Sequence, residues 1–229
     1  VNNVANCILF FKKAEELYSM AKMIYRRLEL PPIGTNCYIV GSDQTHDGMV
    51  IDPAGDAPRI LDNIKQLTLA IKFIIVTHTH PDHIGAIAQV KEATGASFAL
   101  HVAEAGLLRN YDYSQFSAFD PSFRPPPQPE KLLNEGDLLE VGDLSFRIAH
   151  TPGHSMGGIC IIGHGVVFSG DTLFNMGIGR TDGPGGDYDR LISGIRNKLF
   201  ILPDNTLVLP GHGPKTTIGY EKQNNPFFR

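Results

Sequence analysis

The 229-residue chain predicts an α/β fold, a two-sheet sandwich flanked by helices with a polar site on the edge between its halves, and three observations predict it. First, the order strand, helix, strand occurs twice, once leading from Asp52 to His78 and once from Asp171 to His212. Second, both units deliver polar residues at the carboxyl ends of their strands, where open α/β sheets place their ligands. Third, the run His78-Thr79-His80-Pro81-Asp82-His83 puts four potential metal ligands into six positions, directly behind the apolar run 71–76.

The elements follow in order. Phe10, Ala14, Leu17, Ala21 and Ile24 keep helical spacing, with Lys12, Lys13, Glu15, Glu16 and Lys22 on other faces. Residues 1–23 therefore read as an amphipathic N-terminal extension that docks onto a domain of residues 24–229. Strands at 25–30 and 36–40 flank Pro31-Pro32-Ile33-Gly34, and a short buried strand, 49–52, ends at Asp52. Asp56 has the residue type and position of a helix cap, with the helix running through Leu67. Strand 71–76 leads into the histidine run; a helix over 84–94, stopped by Gly95, and a strand over 97–101 come next. Residues 111–129 have weak periodicity and end in Pro125-Pro126-Pro127-Gln128-Pro129, which predicts a long surface loop. Strands at 144–149, 166–169 and 206–209 complete the pattern, with a helix over 188–200 between the last two.

Imidazole and carboxylate are ligand types that zinc and similar first-row metals take in catalytic sites. Alternate side chains of an extended segment share a face, so His78, His80 and Asp82 are expected to converge, and His83 must enter from a turn or a helix start. One metal cannot comfortably take all four, whereas two adjacent metals can, so the spacing predicts a dinuclear centre. His154 in Thr151-Pro152-Gly153-His154, Asp171 in Ser169-Gly170-Asp171-Thr172 and His212 in Pro210-Gly211-His212-Gly213-Pro214 each follow a predicted strand among Gly or Pro. Such turns let backbone approach a ligand closely. A polar loop with histidines capping strand and helix ends is the bland alternative, and seven candidates at strand ends weigh against it.

Composition narrows the function classes. A formal charge of −4 and a pI near 6.1 offer no basic stripe for phosphate backbones, so no nucleic-acid partner is expected. Cys7, Cys37 and Cys160 form no CxxC pair, which argues against a disulfide framework and a thiolate zinc site, and fits a reducing, cytoplasmic compartment. They read as small buried hydrophobes. No apolar run reaches the roughly twenty residues that span a bilayer, so no membrane partner is expected. His46 and His164 fall in polar turns, and His101 reads as a structural histidine at a strand end.

HTHPDH, TPGHSMGG, SGDTLF and PGHGP, in this order and spacing, resemble the metallo-β-lactamase superfamily from about Tyr25 to the C-terminus. Gly34-Thr35-Asn36-Cys37-Tyr38, Gly177-Ile178-Gly179-Arg180-Thr181-Asp182 and the tail from Thr217 through Phe227 are similar to small bacterial glyoxalase II-like, or hydroxyacylglutathione hydrolase-like, enzymes. The resemblance implies an αββα sandwich with mixed sheets. It implies that His78, His80 and His154 hold one metal, that Asp82, His83 and His212 hold the second, and that Asp171 bridges them. Asp52 would stand behind the ligands and orient histidines. Two divalent ions are implied, zinc first, with iron or manganese as alternatives. The implied reaction is hydrolysis of an ester-like bond, with a small-molecule thioester as the best single substrate class, by hydroxide shared between the metals and aimed by Asp82.

Departures from full-length glyoxalase II bear on substrate. Seventeen residues follow His212, too few for the helical domain that helps that family bind glutathione. Pro214 and Asp182 stand where the family places tyrosines, while Arg180 matches a basic position that contacts glutathione. The leading alternative is an iron-dependent persulfide dioxygenase, which would use His78, His154 and Asp171 around one iron. A lactone or lactam hydrolase, a nuclease and a non-catalytic metal-binding protein rank lower.

Overall fold

Apolar side chains in this chain alternate along strands that are covered on both faces, and the result is four layers. The computed structural model describes residues 22–113 and 123–229. The expected helix over 1–23 therefore lies outside the described residues except at its last two positions, and so does the middle of the 111–129 loop. In chain order the first half gives β1 (Met23–Leu30), β2 (Thr35–Ser42), β3 (Asp47–Ile51), α1 (Ala57–Gln66), β4 (Ala70–Ile75), α2 (Pro81–Ile84), α3 (Ile87–Thr94), β5 (Ser97–His101), α4 (Ala105–Asn110) and β6 (Lys131–Leu133). The second half gives β7 (Leu138–Val141), β8 (Leu144–His150), β9 (Ile159–Gly163), β10 (Val166–Gly170), a small hairpin of β11 (Leu173–Phe174) and β12 (Gly177–Ile178), α5 (Tyr188–Gly194), β13 (Leu207–Pro210), β14 (Thr216–Thr217) and α6 (Ile218–Asn224).

One six-stranded sheet has the order β1-β2-β3-β4-β5-β6, the other β14-β13-β10-β9-β8-β7. Both are mixed. Parallel pairing runs from β3 through β6 in the first and joins β10 to β13 in the second, the remaining pairs being antiparallel. The period of two is explicit in β2. Tyr38 and Val40 face the second sheet, where they meet Phe146, Ile161 and Phe168. Cys37 and Ile39 face outward onto Ile60 of α1 and onto Ile87 and Val90 of α3. Cys160, Val167 and Val208 pack on Leu191 of α5 and Ile218 of α6 across the outer face of the second sheet. Burial of this kind explains why the parallel strands read as unbroken apolar runs. The layers are helix, sheet, sheet, helix, the sandwich the sequence predicts.

Several local expectations need correction. The helix expected over 84–94 is broken into α2 and α3. A Cβ at Gly85 would lie 2.2 Å from the Ala54 carbonyl oxygen, and Ala86 N–H donates to Pro53 at 2.8 Å, so the contact with the 53–55 turn interrupts the helical ladder. The helix expected over 188–200 is α-helical only to Gly194 and continues as a π turn over Ile195–Leu199. β6, β7, β9, α4, α6 and the two-residue strands β11, β12 and β14 add to the elements expected from the sequence. Asp56 does cap α1, accepting Arg59 N–H at 3.3 Å from a left-handed conformation.

Candidate metal centre

The two parallel crossovers, β3-α1-β4 and β10-α5-β13, end on one edge of the sandwich. Asp52 follows β3, the histidine run follows β4, Asp171 follows β10 and His212 follows β13. The turn after β8 carries His154, and Ile159 N–H donates to Thr77 across the sheets at 3.0 Å. Chain reversal at the ligands themselves depends on a glycine: a Cβ on Gly211 would fall 2.2 Å from Asp171 Oδ1 and 2.9 Å from His83.

The seven candidates converge in two groups, which a third set, His78, His83 and Asp171, links. His78 Nε2, His80 Nδ1 and His154 Nε2 lie 2.9–3.2 Å from one another. A tetrahedral zinc site with nitrogens at 2.0–2.1 Å has an edge of about 3.3 Å, so the three nitrogens stand near three corners of such a site. Asp82 Oδ2 lies 3.1 Å from His212 Nε2 and 3.4 Å from His83 Nε2. Asp171 lies between the groups, its Oδ2 3.5 Å from His154 Nε2 and 3.6 Å from His212 Nε2, its Oδ1 3.5 Å from His83 Nε2. The alternation argument is thus right for His78 and His80 and wrong for Asp82. Pro81 starts α2 and turns Asp82 toward the second group.

The donor chemistry fits divalent metal. His83 Nε2 and Asp171 Oδ1 are buried with no hydrogen-bond partner among the described residues. His154 Nδ1 donates to the Arg180 carbonyl at 2.8 Å, which leaves its Nε2 lone pair facing His78 and His80. Thr77 gives its hydroxyl proton to Asp52 at 2.8 Å and so accepts from His78 Nδ1 at 3.1 Å, again freeing Nε2. Asp52 also accepts Thr77 N–H at 2.7 Å and lies 3.0 Å from His83 Nδ1. It touches one histidine directly and another through Thr77, the arrangement by which outer partners fix ring orientation. Thr35 donates to Asp82 Oδ2 at 2.9 Å.

Charge follows from these contacts. Burial and the neighbouring imidazoles hold His78 well below the usual histidine range, and burial followed by His154 lowers His80. Burial alone would depress His83 as well, but the Asp52, Asp171 and Asp82 carboxylates outweigh it and raise it to about 9. Burial would raise Asp82, yet His212, His83 and the Thr35 hydroxyl together keep its carboxyl well below the usual range. With its pKa raised to about 9, His83 would give up a proton to a metal that it bound near neutral pH. We expect metal uptake by the metal-free protein at pH 7.5 to release about one proton from this residue, and apparent affinity to fall as pH is lowered. An indicator-dye titration in weak buffer checks this; uptake without proton release would show that His83 is already neutral in the metal-free protein.

Other expectations sort differently. Arg180 is exposed and its guanidinium makes a two-point pair with Asp182, at 3.0 and 3.1 Å. Among further residues beside the motifs, Tyr38 is a core residue whose hydroxyl donates to Pro210, Tyr188 is exposed, and Phe174 approaches the His212 ring to 6.2 Å between centroids. His101 stacks on His150 at 3.9 Å and accepts Ala103 N–H; burial followed by His150 pulls it down to about 4. His46 and His164 occupy exposed left-handed turns. Cys37 and Cys160 are fully buried, and burial pushes Cys160 up to about 11. No helix among the described residues is long and apolar enough to cross a membrane. Thr35, Thr77 and the Arg180 carbonyl escaped the sequence reading. The two threonines adjoin motifs and carry a legible signal, while a carbonyl carries none.

A family model described as the metallo-beta-lactamase superfamily matches residues 30–212. Hydroxyacylglutathione hydrolase GloC of Haemophilus influenzae is 40% identical over 195 residues, covering 84% of this chain and 92% of that protein. Among solved structures, the BLEG-1 B3 metallo-beta-lactamase superposes with a TM-score of 0.80 at 37% identity, covering 90% of this chain and 99% of that one. TTHA1623 in a di-iron-bound form superposes with a TM-score of 0.78 at 35% identity, covering 88% and 99%.

Proposed function

The chain belongs to the metallo-beta-lactamase superfamily, and on that premise we propose that it is a dinuclear metallo-hydrolase whose substrate is a small-molecule thioester. One observation carries the reading: two ligand groups share the space around a single carboxylate, Asp171, whose oxygens face both. His78, His80 and His154 would hold one ion and Asp82, His83 and His212 the other, with Asp171 between them. Zinc is the assignment on ligand type. The di-iron form of TTHA1623 supports double occupancy and keeps iron, with manganese, as alternatives. Similarity to a protein named hydroxyacylglutathione hydrolase supports the thioester.

Paired divalent ions, when bound, supply a water acidified from a pKa of 15.7 to about 7 and a Lewis acid for a carbonyl oxygen. The residues of this chain do the rest. Asp82, kept ionised by His212, His83 and Thr35, is placed to accept a hydrogen bond from the attacking water and aim its lone pair at the carbonyl carbon. Asp52 and the Arg180 carbonyl hold the imidazoles in the tautomers that face inward. The Arg180 side chain would contact a carboxylate of the substrate's thiol portion, and it reaches one by exchanging Asp182 for it.

The first experiment is steady-state kinetics on glutathione, coenzyme A and simple thioesters with zinc-, iron- and manganese-loaded protein. We expect detectable cleavage of S-lactoylglutathione with a high KM, because remote binding energy helps position the reacting group and Pro214 and Asp182 stand where the resembled family places glutathione-contacting tyrosines. Arg180→Ala should raise that KM further with metal content unchanged. Failure of every thioester under every metal would sink the assignment.

A second reading, an iron-dependent persulfide dioxygenase, draws on the proximity of His78, His154 and Asp171, with 3.2 Å between the His78 and His154 nitrogens and 3.5 Å from His154 to the carboxylate. Metal counting with an oxygen-uptake assay separates the two. Two ions and thioester turnover favour the hydrolase; one iron and oxygen consumption favour the dioxygenase.

A further inference from the structure

We infer that Glu104, a buried carboxylate outside the ligand set, is a positioning residue that sets the spacing of the two loops holding the first metal; the inference rests on the metal-centre reading above. Glu104 is 1% exposed and ends the turn that links β5 to α4. Its Oε2 accepts the Thr79 N–H at 3.0 Å and also the Thr79 hydroxyl, and its Oε1 accepts the Gly157 N–H at 2.8 Å. Thr79 is the residue between His78 and His80, and Gly157 lies three positions after His154. One side chain therefore grips both loops beside residues whose nitrogens meet within 2.9–3.2 Å.

Two further observations point the same way. A Cβ on Gly157 would lie 2.6 Å from Glu104 Cγ and 3.0 Å from Glu104 N, so the His154 loop can approach this closely because it presents a glycine. All three donors to Glu104 are neutral, and no ion pair reaches it among the described residues. A buried carboxylate without a counter-cation is a poor way to add stability, since an apolar side chain would fill the same space without the desolvation penalty. Orientation of the two loops gives the charge a purpose that packing does not. The loops also touch through Ile159 N–H and the Thr77 carbonyl, but that tie joins their bases, whereas Glu104 joins them beside the ligands.

Glu104→Gln keeps the shape and removes one acceptor. Whichever way the amide turns, its NH2 meets a backbone N–H, of Thr79 or of Gly157, that cannot reverse. Thr79→Val removes only the hydroxyl donor. The test titrates metal-free wild type and both variants with Co2+ and Zn2+ against a competing chelator, with thermal unfolding in parallel. The variant His212→Ala, which keeps only the first group intact, identifies the first group's spectroscopic step. We expect Glu104→Gln to weaken that step by about 10–100-fold, the range seen for outer partners of metal ligands, and Thr79→Val to weaken it less. The step belonging to Asp82, His83 and His212 should stay put.

A folded Glu104→Gln protein with wild-type affinity at the first step would overturn the inference. Equal weakening of both steps alongside a lowered Tm would overturn it too, since that is the signature of a merely structural residue. If Glu104→Gln does not fold, Thr79→Val decides, and an unchanged first step counts against positioning. Wild-type protein that takes up no metal refutes the reading of the centre itself, and this shows before any substitution is made.

Discussion

Asp171→Ala is expected to strip most of the bound metal and the activity together, the largest loss from any single change among the candidate ligands. The reason is geometric. Among the carboxylates of the described residues, only Asp171 stands within 3.6 Å of donors from both groups: His154 of the first, and His83 and His212 of the second. One carboxylate there would bind both ions and offset the repulsion between two dications about 3.5–4 Å apart, a repulsion that grows as water is excluded. Its removal should cost more than the roughly 100-fold typical of residues that only orient a ligand. Elemental analysis of the purified variant beside thioester kinetics checks this. Two ions with near-normal turnover would show that Asp171 does not bridge.

His212→Ala should act on half of the centre. Its Nε2 lies 3.1 Å from Asp82 Oδ2, and its ring is absent from the trio of His78, His80 and His154. We expect one ion to be lost and the other retained. For a hydrolase that needs both ions, turnover should fall roughly 100-fold or more, at or beyond the upper end of what outer partners cost. For a mononuclear dioxygenase built on His78, His154 and Asp171, oxygen consumption should be nearly unchanged. Equal thioester activity before and after the substitution would therefore count against the hydrolase.

What could be read from residues alone was what has a one-dimensional signature. The ligand candidates are rare residue types at strand ends among glycines and prolines, and the strands that carry them stand out as short apolar runs. The partition of those ligands was only half visible, because the helix start at Pro81 rotates Asp82 away from His78 and His80 by a change in backbone direction that alternation does not encode. The break between α2 and α3 comes from a tertiary contact with Ala54, which local propensity cannot foresee. β11, β12 and β14 have two residues each, too few for any periodicity. Glu104 carries no local signal, since its three donors come from Thr79 and Gly157, 25 and 53 positions away.

Arg180 has two faces with separate duties: its side chain reaches into solvent beside Asp182, and its carbonyl holds the His154 ring. A loop that meets the incoming molecule is ordinarily free to drift, because its backbone answers to nothing else. Here it is not free. Under the proposed function, an insertion or deletion here that suited a new thiol group would also turn the His154 ring, because the Arg180 carbonyl holds it. Side-chain exchanges at Arg180 and Asp182 leave that carbonyl contact in place, so under the proposed function substrate preference would change there without turning the ring.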